Sequence, residues 1–129
     1  LDGQPAMTAT GWLWTFAAIH AVYGALQGYA SGIGAEAPRW QAGAFLLSYL
    51  SVPYLWMRAD ARERGAPRGP TLSGLAIVLP WVAIPAYCWT STAPGRRARA
   101  LGRLALYGLL LVLAYLAGGA PIAWWLGGW

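Results

Sequence analysis

No Asp, Glu or Arg falls inside any of four apolar stretches, residues 10–30, 40–57, 72–89 and 104–125, which fill most of this 129-residue chain. A helix crossing about 30 Å of hydrocarbon needs about 20 mostly apolar residues, and each stretch is near that length. The charges collect between the stretches. Hydrophobic residues make up 58% of the sequence and charged residues 10%, against about 25% charged in soluble domains. A chain this small has too little interior to hide so much apolar surface from water, whereas lipid can cover it. The pattern predicts an all-α integral membrane bundle. It is read as a single polytopic domain with segments near 10–30, 40–64, 72–89 and 100–125. Residues 10–30 lack the basic flank and small-residue cleavage site of a signal peptide and read as a retained helix.

The first segment carries two small-residue ladders, Ala17, Ala21 and Ala25, and Gly24, Gly28 and Gly32. Residues four apart share a helix face, and loss of side-chain bulk there lets another helix approach closely. Trp12 and Trp14 at its start, and Trp124, Trp125 and Trp129 at the chain's end, suit the aromatic belts of a bilayer interface. The second helix is expected to continue past its apolar part to Arg64, because Ala, Arg and Glu are good helix formers. Asp60 and Arg64 are placed as an i, i+4 pair, and Gly65 is a suitable stop. Pro53 lies inside this helix, and Pro80 and Pro85 lie inside the third segment.

Basic residues near helix ends mark the cytoplasmic side of a membrane protein. If all four segments cross, the 58–70 connection holds four Arg, while Arg39, Arg96, Arg97, Arg99 and Arg103 face the other side. That balance gives almost no orientation. If the third segment dips in and returns, the division becomes eight against one. Irregular backbone at bilayer depth, however, is tolerated only where protein or a water-filled cavity covers it. Four full spans are therefore the expectation, with three spans plus a re-entrant third segment as the alternative.

His20, the sole histidine, sits near the middle of the first segment, where an ionisable residue is a functional candidate. Its imidazole can pack and hydrogen-bond to a neighbouring helix. It can also act as axial ligand to a haem or to the magnesium of a bacteriochlorophyll. A haem held by two histidines of this chain is excluded. The acids Asp2, Glu36, Asp60 and Glu63 all lie outside the apolar segments, which argues against an autonomous proton pump and against paired-carboxylate chemistry. Ser48, Ser51, Thr71 and Ser73 have no base nearby in sequence. No metal-ligand spacing involves Cys88, the single cysteine, which reads as a small apolar residue.

Arg96, Arg97, Arg99 and Arg103 form a basic stripe at the start of the last helix, where the helix dipole disfavours cations. Anionic lipids, or an acidic partner subunit, are the expected counterparts. The net charge of +5 carries no nucleic-acid signal. All nine basic residues are Arg in a background rich in Ala, Gly, Pro and Leu, a composition that suggests a GC-rich bacterial source.

The block from Leu55 through Trp56, Arg58, Asp60 and Arg64 to Gly65, followed by an apolar segment ending in Pro85, Ala86 and Tyr87, resembles a family of small bacterial inner-membrane proteins. Those proteins carry an aromatic-x-Arg-x-Asp…Arg-Gly element and a Pro-Tyr near the end of the following segment. Here Ala86 separates the Pro from the Tyr, and residues 90–94 replace a basic turn. The resemblance implies an inner-membrane location and no activity. The expected role is a non-catalytic accessory or assembly subunit of a larger membrane complex, with a photosynthetic or respiratory host. A cofactor-holding subunit using His20, or a small oligomeric transporter or channel, are the alternatives.

Overall fold

A computed structural model describes residues 7–65, 74 and 78–127. These residues form helices joined by turns, with no strand among them. The helices are α1 (Ala9–Gly32), α2 (Arg39–Arg64), α3 (Pro80–Thr90) and α4 (Arg97–Trp125), the last entered through a 3₁₀ turn at Pro94–Arg96.

Local chemistry sets the helix ends. The Thr8 hydroxyl accepts the Gly11 N–H at 3.0 Å, an N-cap that satisfies one of the orphan donors of α1's first turn. The Ala9 N–H, another orphan, donates to Glu63 Oε1 at 3.0 Å, so a carboxylate also complements the positive end of the helix dipole. At the other end Ala35 N–H donates to Ala30 O and Gly34 N–H to Ser31 O, with Gly34 at φ +69°. This Schellman closure needs a left-handed residue. Helix α2 runs through Pro53 and stops at Gly65, φ +63°. Pro80 opens α3 at a position where no N–H is required.

The chain packs as two units, Leu1–Trp14 with Leu50–Leu101 and Thr15–Tyr49 with Gly102–Trp129. In the second unit α1 and α4 run in the same direction with their backbones in contact. A Cβ at Gly24 would collide with the Tyr115 carbonyl, at Gly28 with Gly119, at Gly118 with the Ala21 carbonyl, and at Gly32 with the Leu126 side chain. Helix α2 runs opposite to α1 there, with Phe16 against Tyr49 and Tyr23 stacked on Phe45 at 4.2 Å between ring centroids.

In the first unit α2 and α3 also run in the same direction. Asp60 pairs with Tyr87 and, four residues on in both helices, Arg64 pairs with Ser91. The chain thus leaves α2 at Arg64 and is back beside it at Ser91. The expectation of four full spans is unconfirmed by these helices. Residues 72–79, apart from Gly74, Val78 and Leu79, lie outside the described residues. Among the described residues one helix, Pro94–Trp125, is long and apolar enough to cross a membrane.

Candidate functional site

Met57, Asp60, Ala61 and Arg64 recur at i, i+3, i+4 and i+7 and so share one face of α2. Ala83 and Tyr87 share a face of α3, and Ser91 follows at its C-terminal end. Met57, Ala83 and Tyr87 are fully buried in the small core these faces make, with Ala61 beside them. Trp56 sets its ring edge on Tyr87, centroids 5.9 Å apart. Above this core lies a polar clasp. The Tyr87 hydroxyl donates to Asp60 Oδ2 at 2.7 Å. Arg64 donates to the same oxygen from Nε at 2.9 Å and from Nη2 at 2.6 Å. Its Nη2 also reaches Ser91 Oγ at 2.8 Å and the Tyr87 oxygen at 3.3 Å.

The clasp ties the two helices together: Asp60 accepts three donors, and the Ser91 hydroxyl accepts from the Arg64 guanidinium. The Glu63 carboxylate caps α1. Ser48 donates to Ala44 O and Thr90 to Ala86 O, the ordinary back-bonding of hydroxyls in helices. Thr71 and Ser73 lie outside the described residues.

His20 is buried, and its Nδ1–H donates to Phe16 O at 2.8 Å. That bond fixes the tautomer of a neutral ring and leaves the lone pair on Nε2. The ring stacks on Phe16 at 4.5 Å and meets the Phe45 edge at 5.1 Å. With 9% of its surface exposed, the imidazole is packed as a member of an aromatic cluster. A macrocycle on Nε2 would require these neighbours to part. No group of three or more His, Cys, Asp or Glu that could hold a metal occurs among the described residues.

The ladder residues divide between contacts. Gly24, Gly28 and Gly32, with the Ala21 backbone, meet α4; Ala17 is buried and Ala25 half-buried. Of the basic stripe, Arg96, Arg99 and Arg103 are exposed. Arg97 differs. Its Nε donates to Trp89 O at 2.9 Å and Thr92 O at 3.3 Å, and its guanidinium lies over the Trp89 ring, 5.0 Å from the centroid. Sequence reasoning did not find this stack or the Asp60–Tyr87 bond. Both join residues on different helices, so no spacing within one segment signals them. Gly118 and Gly119 did carry a signal, two adjacent glycines inside a Leu-rich run, but it reads equally well as the end of the helix.

In comparisons with described protein families, curated proteins and solved structures, the chain matched none.

Proposed function

We propose that this chain is an integral protein of the bacterial inner membrane that serves as a non-catalytic accessory or assembly subunit of a larger complex, with a photosynthetic or respiratory host. The observation that carries the reading is the bare apolar surface of α4. Leu106, Leu109, Val112, Leu113 and Leu116 are all half or more exposed on a helix long and apolar enough to cross a bilayer. Such a surface needs lipid or another membrane helix over it. The polar side chains of the clasp, meanwhile, hydrogen-bond to one another.

In this reading α4, the described helix long and apolar enough to cross by itself, is joined in the bilayer by the less apolar α1 and α2; at 24, 26 and 29 residues α1, α2 and α4 are about 36–44 Å long. The third segment dips in and returns. Helix α3, at 11 residues, is about 16 Å long and reaches roughly half the hydrocarbon depth. Both ends of that segment then share a side with the start of α1 and of α4. Of the eight described arginines, seven then share that side and Arg39 alone faces the other, which orients the basic end to the cytoplasm.

Two measurements test this. After mild detergent extraction, native mass should show the chain within an assembly containing other membrane subunits; recovery as a monomer or homo-oligomer would remove the accessory role. In a Cys88→Ala background, cysteines at Arg58 and Thr92 should resist an impermeant reagent applied to intact cells, and one at Glu36 should react. Outside labelling at Thr92 would instead establish four spans.

A further inference from the structure

The first unit is strongly basic at one end. Among its described residues Arg58, Arg62, Arg64, Arg96, Arg97 and Arg99 stand against Asp60 and Glu63, and the ion pair found among the described residues is Arg64–Asp60. Arg97 is the one arginine of the stripe held in a fixed pose. Two carbonyls bind its Nε and the Trp89 indole covers one face. Its two terminal nitrogens make no hydrogen bond to any described residue. A planar guanidinium whose orientation is already set presents parallel N–H donors that match phosphate oxygens two at a time, and little side-chain freedom is left to lose on binding. Trp89 is 47% exposed at the end of an apolar helix, the setting of an interfacial tryptophan. Val82, seven residues earlier on the same face, is exposed as well.

The geometry points to a lipid site: Arg97, braced by Trp89, grips the headgroup phosphate of an anionic phospholipid whose acyl chain lies along Val82 and Trp89. Arg96 and Arg99, both exposed, supply the surplus positive charge that selects an anionic over a zwitterionic headgroup. The inference rests on the membrane reading above.

The test is lipid retention by native mass spectrometry, with the full chain in detergent given equimolar phosphatidylglycerol and phosphatidylcholine. Phosphatidylglycerol should be retained about tenfold over phosphatidylcholine, the factor that corresponds to about 1.4 kcal/mol. Arg97→Gln should erase most of that preference, and Arg97→Lys should restore only part, because an ammonium lacks the fork. Should Arg97→Gln fail to fold by circular dichroism, the Arg96→Gln/Arg99→Gln pair decides, with an expected drop of about threefold from weaker charge attraction. Equal retention of the two lipids, or unchanged preference in these variants, would overturn the proposal. So would displacement of the lipid by millimolar inorganic phosphate, which assigns the site to a free anion. Recovery of the chain in the aqueous fraction without detergent would instead overturn the membrane reading.

Discussion

The two packing units hold their helices together by opposite means. In the Thr15–Tyr49/Gly102–Trp129 unit, α1 meets α4 through absence: glycines on both sides let carbonyls and Cα atoms touch, and aromatic rings fill the space towards α2. In the Leu1–Trp14/Leu50–Leu101 unit, α2 meets α3 through a four-residue polar clasp over a small core. The first kind of contact tolerates no added atoms, and its strength is dispersion at close range. The second depends on hydrogen bonds that each add about 1 kcal/mol net, or 1.5–3 where a charge is involved. One unit should therefore break on small insertions of volume, and the other on single losses of a polar atom.

The largest effect is expected at Gly28. Gly28→Leu places a side chain where Gly119 backbone lies, and overpacking of this kind costs about 3 kcal/mol or more when backbones must separate. Folded yield by fluorescence-detected size exclusion should collapse. Gly43→Leu and Gly108→Leu, where a Cβ meets nothing within 4 Å, should leave it unchanged. Equal losses at all three positions would mean that helix flexibility, not contact, decides.

Next comes the clasp. Asp60→Ala strands the Arg64 guanidinium and the Tyr87 hydroxyl, for about 2–3 kcal/mol, read as a lower unfolding midpoint. Tyr87→Phe removes one donor and should cost about 1 kcal/mol.

The smallest effect should run the other way. Gln41 is buried, and its Oε1 meets no donor among the described residues. An unsatisfied buried acceptor costs about 1–3 kcal/mol, so Gln41→Met should raise the unfolding midpoint slightly. A fall there would show that the amide has a partner.

What the sequence discloses follows the range of the interaction. Local features are legible: the span of α2 to Arg64, the left-handed stop at Gly65 and the Asp60–Arg64 pair each depend on residues within one turn. The ladder of Gly24, Gly28 and Gly32 marks a bare helix face but cannot say which helix meets it. The relative direction of α2 and α3 is not legible at all, because an apolar segment of about 18 residues suits a crossing and a return equally well. That direction shows only in the meeting of Asp60 with Tyr87 and of Arg64 with Ser91.

The contact between Gly28 and Gly119 also has a history in time. About 90 residues of chain separate the two positions, and synthesis proceeds at about 5–20 residues per second. Helix α1 is therefore synthesised about 5–18 s before its partner. Through that wait its glycine face has no α4 to meet.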